Sequence, residues 1–257
     1  MLKFYKYHGA GNDFILIDNR AKSINLSEKT IAKLCDRRFG IGADGLMFLN
    51  MHDKLDFEMQ YFNSDGKMGT MCGNGGRCIV AFAKRLNIID NSTSFLARDG
   101  KHKAKIKNNN VELEMNELND ITKLDQGFFL NTGSPHYVIF SKDISIIDVK
   151  NEGKNIRNSK LFKPKGTNVN FVESNNDELF VRTFERGVED ETLSCGTGVT
   201  ASAIAASYNS KKDRNLYKIK TRGGNLEVSF EKKSEKHFTN IKLTGPAEFV
   251  FEGEVDI

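Results

Sequence analysis

Two cysteines set among glycines constrain this chain more than any other feature. "TMCGNGGRC" (70–78) places Cys72 ahead of the apolar run "RCIVAFAKRL", and "LSCGTGVTASAIAA" (193–206) places Cys195 ahead of a run of small residues. The order is the same each time: strand, glycine turn, C-G-x-G, helix. "DFEMQYF" (56–62) alternates like a strand and runs into the turn signal "NSDG", while "ELFVRTFERG" (178–187) leads to the second cysteine. A motif built twice implies a structural unit built twice. The expectation is two similar α+β domains facing one another, with a site in the crevice between them.

Other segments fit this plan. "FILID" (14–18) reads as a strand, and Ser27 caps a helix whose Ile31, Leu34 and Cys35 share a face and which stops near Gly40. Cys78, Ile79, Phe82 and Leu86 fit helical spacing after the first motif. Residues 101–115 read as a hairpin, with Ala104 and Ile106 alternating with lysines before Val111, Leu113 and Met115. "YVIF" (137–140), "NVNFV" (168–172), Leu226–Phe230, Phe238–Leu243 and Glu248–Phe251 are further strand candidates. Domains are expected at 1–118 and 119–247, with strand 248–257 a candidate addition to the first. The polar, aperiodic stretch Asn116–Gln126 is the expected linker.

Charge excludes some function classes. A formal +4 over 257 residues permits an anionic small substrate but does not suggest nucleic acid. The lysines cluster in "KHKAKIKNNN" without interleaved aromatic residues, so they read as a solvated sheet edge. The opening "MLKFYKYHGAGNDFILID" has neither a long apolar core nor a small-residue cleavage site, so no secretory signal is expected there. No run approaches the roughly 18 apolar residues of a membrane helix. The expected compartment is the cytoplasm, where the four cysteines stay reduced.

A helix N-terminus presents backbone N–H groups without intrahelical partners and a partial positive charge, so it binds carboxylates. The same field lowers the pKa of a cysteine placed there, which favours a thiolate suited to proton transfer. One nucleophilic cysteine would explain one motif. Two opposed thiols explain both if the reaction transfers protons on two faces of one carbon, as inversion of an amino-acid α-centre requires. Competing chemistries fit less well: C-x-x-C is absent, Cys72 and Cys78 lack metal-ligand spacing, and neither turn is a P-loop. Cys35 and Cys78, on apolar helix faces, read as inert packing residues. A racemase of proline-like substrates and a non-catalytic binder of an anionic metabolite remain alternatives.

The ordered blocks "HGAGNDF", "GIGADG" (40–45), "FNSDG…MCGNGGRC", "NTGSPH" (131–136), "GTNVNF" (166–171) and "ERGVEDETLSCGTG" (185–198) resemble those of diaminopimelate epimerases. The resemblance implies two mirrored domains, each a curved, mainly antiparallel sheet or barrel around a central helix, closing over the substrate. It implies inversion of LL-2,6-diaminopimelate to the meso form, for lysine and cell-wall precursor synthesis, with neither pyridoxal phosphate nor a metal. A homodimer is implied as well. Carried over, Cys72 and Cys195 are the acid/base pair, with His136 near Cys72 and Glu185 near Cys195. Gly73, Asn74, Gly196 and Thr197 receive the reacting α-carboxylate. Asn12, Asn63, Asn168, Glu185 and Arg186 recognise the rest of the substrate, Arg186 holding the distal carboxylate. Two positions depart from the commoner pattern: Gly45 stands where many relatives carry Gln, and Ser134 where many carry Asn.

Overall fold

The computed structural model describes residues 1–175, 178–210 and 214–257. It divides into two units, Met1–Leu113 with Gly245–Ile257, and Glu114–Thr244. The sequence boundary after residue 118 therefore falls a few residues earlier, and the returning C-terminal segment begins at Gly245.

In the first unit, β1 (Leu2–Gly9) and β2 (Asn12–Asp18) form a hairpin through Ala10 and Gly11, both at positive φ. Helix α1 (Glu28–Cys35) follows, then β3 (Gly45–Asn50) parallel to β2 and β4 (Phe57–Asn63) antiparallel to β3. Helix α2 (Gly73–Arg85) leads to β5 (Ser92–Ala97), parallel to β4, and to the antiparallel β6 (Gly100–Lys107) and β7 (Asn110–Glu114). A returning strand, Glu248–Val255, pairs antiparallel with β1 from Leu2↔Val255 to His8↔Glu248.

The local chemistry explains the boundaries. Ser27 caps α1 by accepting from the Thr30 N–H at 3.1 Å. The helix stops at Cys35, short of Gly40, because the Asp36 carboxylate captures the N–H groups of Arg38 and Phe39, both at 2.7 Å. Ile31, Leu34 and Cys35 pack with Leu2, Phe4, Ile15, Ile17, Leu46 and Phe48 on one side of the sheet. Helix α2 has Gly73 through Ala83 buried without a break. A helix buried all round must be covered all round, and α2 packs on β1, β2, β3 and β6. Ile79 and Phe82 are fully buried, contributing about 1.5–3 kcal/mol each.

The second unit opens with β8 (Ile121–Leu124), which pairs antiparallel with β9 (Gly127–Asn131). The expected linker thus contains a strand. Only Ile121 is buried in it, so its sequence shows no alternation. Strand β10 (Pro135–Phe140) is followed by α3 (Val149–Arg157), β11 (Asn168–Asn175), β12 (Glu178–Glu185) and the short β13 (Asp190–Thr192). Helix α4 (Gly196–Asn209) then leads to β14 (Leu216–Thr221), β15 (Gly224–Lys232) and β16 (Phe238–Pro246); the returning strand of the first unit is β17.

The pairings repeat those of the first unit. β10–β11 is parallel like β2–β3, and β11–β12 antiparallel like β3–β4. β12–β14 is parallel like β4–β5, and β14–β15 antiparallel like β5–β6. Helices α3 and α4 hold the places of α1 and α2. Small residues let α4 sit deep among β9–β12, β14 and β15. The fold is thus α+β and mostly sheet, with a central helix in each unit, as the doubled motif implies.

Candidate active site

Cys72 is the N-cap of α2, with extended backbone (φ −109°, ψ 123°), and its carbonyl accepts the Gly76 N–H at 2.7 Å. Its side chain makes no hydrogen bond to its own helix end. The thiol instead points to Asn12 at the start of β2, with Sγ 3.7 Å from Oδ1. Asn74 Nδ2 donates to the same Oδ1 at 3.1 Å, and Asn12 Nδ2 donates to Asp44 at 2.6 Å. These contacts leave the Asn12 amide one orientation. Beneath them lies Arg77, fully buried, donating to Asn74 Oδ1 at 2.9 Å, the Gly73 carbonyl at 3.2 Å and the Pro246 carbonyl at 3.4 Å. No carboxylate among the described residues lies within ion-pair distance of this guanidinium, and burial lowers its pKa. Its charge adds to the helix dipole at the end where Cys72 sits.

The start of β2 is clamped by charge. Asp13 pairs with Lys6 at 2.6 Å and Arg37 at 2.7 Å, and Arg37 also holds Asp44 at 2.7 Å. Burial alone would raise the Asp13 pKa, but hydrogen bonds from Arg37 and Lys6 outweigh it and bring it down to about 2. Gly9 lets β1 pass over the helix start: a Cβ there would meet the Asn74 carbonyl at 3.0 Å and Arg77 Nη2 at 3.2 Å. Asn63 ends β4, exposed, in register with Gly45 of β3. The departure at Gly45 has a physical cause, since a Cβ there would lie 2.5 Å from both the Phe62 carbonyl and Tyr61 Cε2. The Tyr61 ring fills that volume.

In the second unit Cys195 is the N-cap of α4 (φ −122°, ψ 112°), its carbonyl accepts the Val199 N–H at 2.9 Å, and its sulfur likewise does not cap the helix. The Thr197 hydroxyl lies 3.5 Å from that sulfur and 2.9 Å from His136 Nε2. Thr197 is itself fixed by Thr132, whose hydroxyl donates to the Thr197 carbonyl at 2.8 Å. His136, on β10, is fully buried. Burial first, then the nearby charge of Arg186, pushes its pKa down to about 3, so the imidazole is neutral. Asn168, its register partner on β11, accepts the Arg186 N–H at 2.7 Å and donates to the Pro135 carbonyl at 3.1 Å. Glu185 ends β12 opposite Asp190, and Arg186 Nη1 donates to the Lys165 carbonyl at 3.2 Å.

The structure therefore gathers Cys72, Asn12, Gly73 and Asn74 at one helix start, and Cys195, Gly196, Thr197 and His136 at the other. The family resemblance implies His136 near Cys72; within its own unit the imidazole reaches Cys195 through Thr197. Four contributors were missed: Arg77, Tyr61, Asn170 and Thr183. Asn170 Nδ2 meets His136 Nδ1 at 3.0 Å, and its Oδ1 accepts from the Thr183 hydroxyl at 2.9 Å. The available signal was polar residues at inward positions of strands, Asn170 in "NVNFV" and Thr183 in "VRTFE". Cys35 and Cys78 are buried, and burial pushes both thiols up, Cys35 to about 12.

Two units of one plan, each built around a buried helix, form a fold that solved structures share. A phenazine biosynthesis protein of the PhzF family from Bacillus anthracis superposes with a TM-score of 0.80 at 14% identity, covering 100% of this chain and 99% of that one. A probable proline racemase from Agrobacterium radiobacter superposes at 0.69 with 13% identity, covering 100% and 93%. At the level of sequence, the family description "Diaminopimelate epimerase" matches residues 4–120 and 128–250, and the chain belongs to that family. It is 55% identical to the diaminopimelate epimerase of Flavobacterium psychrophilum over 254 residues, 98% of this chain and 99% of the relative. It is 42% identical to that of Chlorobaculum tepidum, over 97% of this chain and 99% of the relative.

Proposed function

We propose that the chain inverts one α-carbon of LL-2,6-diaminopimelate to give meso-diaminopimelate, with Cys72 and Cys195 as the two proton-transfer groups. The observation that carries this reading is the pair of matched helix starts, each with an N-cap cysteine whose sulfur is not used as a cap. Identity over nearly the full length of named diaminopimelate epimerases supplies the substrate class.

An α-proton next to a carboxylate is weakly acidic, so its removal requires the developing negative charge to be stabilised. Helix N-termini do this with dipoles already in place, at no reorganisation cost during reaction. Gly73 and Asn74 on α2, and Gly196 and Thr197 on α4, are the residues at those ends. One thiolate removes the proton from one face while the other thiol returns a proton to the opposite face. Their roles exchange with the direction of reaction. His136 and Glu185 tune the thiols, and Asn12, Asn63, Asn168 and Arg186 recognise the rest of the substrate. We further infer a cytoplasmic enzyme, since this chemistry needs reduced thiols. It acts as a homodimer. Phe249, Val250 and Phe251, consecutive on β17, are each exposed, which suits contact with a second copy.

The test is incubation with LL-diaminopimelate in heavy water. One deuterium at an α-carbon, together with appearance of the meso isomer, is the expected result. Binding without exchange sinks the catalytic reading, and exchange into proline but not diaminopimelate sinks the substrate.

A further inference from the structure

We propose that Asn170 and Thr183 are positioning residues that set the tautomer of His136, and through it aim the Thr197 hydroxyl hydrogen at the Cys195 sulfur. The proposal deepens the reading above, since it concerns how Cys195 is tuned.

The direction of each hydrogen bond follows from its neighbours. A threonine hydroxyl can donate or accept, but Asn170 Nδ2 can only donate. Nδ2 lies 3.0 Å from His136 Nδ1 and 3.4 Å from the Tyr137 carbonyl, and both can accept. The opposite end of the amide, Oδ1, receives the Thr183 hydroxyl at 2.9 Å. Flipping the amide would set Oδ1 against the Tyr137 carbonyl, oxygen to oxygen. The Tyr137 carbonyl selects the orientation with Nδ2 toward it, and in that orientation His136 Nδ1 is the acceptor.

A neutral imidazole with an acceptor at Nδ1 carries its proton on Nε2. That N–H donates to Thr197 Oγ1 at 2.9 Å; Asn168 Nδ2 also lies 3.5 Å from Nε2, but its shorter contact, 3.1 Å, is to the Pro135 carbonyl, and the Thr197 contact is the closest to Nε2. The hydroxyl hydrogen is left to point elsewhere, and Cys195 Sγ lies 3.5 Å away. A donor aimed at sulfur stabilises thiolate over thiol. The network is sealed: His136 and Asn170 are fully buried and Thr183 nearly so. The charged group acting on His136 is Arg186, which follows β12 and opposes a second proton on the ring. Gly198 belongs to the same device, because a Cβ there would sit 2.5 Å from Asn170 Oδ1.

The experiment needs no substrate. Nitrogen-15 NMR of histidine-labelled protein reads the tautomer of His136, and the pH dependence of iodoacetamide modification, mapped to the Cys195 peptide, reads its thiolate. Wild type is expected to show the proton on Nε2. In Thr183→Val the amide is released, the tautomers mix, and the Cys195 midpoint rises by about one pH unit, a hydrogen bond to a charged group being worth that much or more. Asn170→Leu is expected to move both readouts further, while the Cys72 midpoint stays in place. A proton on Nδ1 in wild type overturns the proposal. So does a Thr183→Val protein whose tautomer and Cys195 midpoint are unchanged. Because neither readout involves diaminopimelate, failure of the heavy-water assay would strike the substrate assignment and leave these outcomes to decide the tautomer on their own.

Discussion

The buried, neutral His136 predicts a specific loss of stability in mild acid. Its native pKa is about 3 and its ordinary value 6.5. Below pH 6.5 the unfolded chain takes up a proton that the native chain refuses, so stability falls as pH falls, until the native ring titrates near pH 3. With these two values the loss at pH 5 is about 2 kcal/mol, and at pH 7 it is close to zero. Replacing the ring by glutamine keeps an acceptor for the Asn170 amide and removes the titration. Urea unfolding at pH 7 and pH 5, followed by circular dichroism, should show wild type losing about 2 kcal/mol more than His136→Gln between the two conditions. All other titrating groups are shared, so they cancel in the comparison. Asp13 acts in a lower window, between its ordinary 3.8 and its native value of about 2. Equal losses in the two proteins would refute the argument that burial keeps His136 neutral.

Further outcomes are open to measurement. Cys72→Ala and Cys195→Ala should each lower epimerisation by about 10²–10⁴-fold, read by deuterium incorporation, with little change in melting temperature. Gly45→Ala should destabilise by about 1–3 kcal/mol, because its Cβ would strike the Phe62 carbonyl, and pairing it with Tyr61→Ala should recover only part of the loss. Arg77→Lys should cost about 1–3 kcal/mol in urea unfolding, since an ammonium cannot reach all three acceptors and leaves buried oxygens unpaired. Val250→Glu should shift the sedimentation coefficient from that of the proposed dimer to that of a monomer, and an unchanged value would refute β17 as the proposed contact.

Much of the fold was legible because its signals were local. The Ser27 cap, the alternation of the 101–115 hairpin and the two glycine turns all act within a few residues. What escaped depends on contacts distant in sequence. Strand β3, "GLMFLN", is buried at every position, so it shows no alternation. Strand β1 hides its pattern because Lys6 is buried in an ion pair with Asp13. Helix α3, "VKNEGKNIR", buries only Val149 and Gly153, too little for an apolar stripe. The site divides the same way. The cysteines announced themselves by their glycines, whereas Asn170 reads as a turn former and Thr183 as an ordinary strand residue. Only the pairing of β11 with β10 and β12 gives them their partners.

The pairing of β17 with β1 has a consequence for biosynthesis. The second unit is one uninterrupted stretch, whereas the first needs residues from both sides of it. Residues 114–244 are all synthesised before the strand that completes the sheet beside β1, so the second unit can begin to collapse while β1 still lacks that neighbour. The unit translated first is therefore the one completed last, and the edge of β1 turned away from β2 stays open to misassociation until Glu248–Val255 pairs with it.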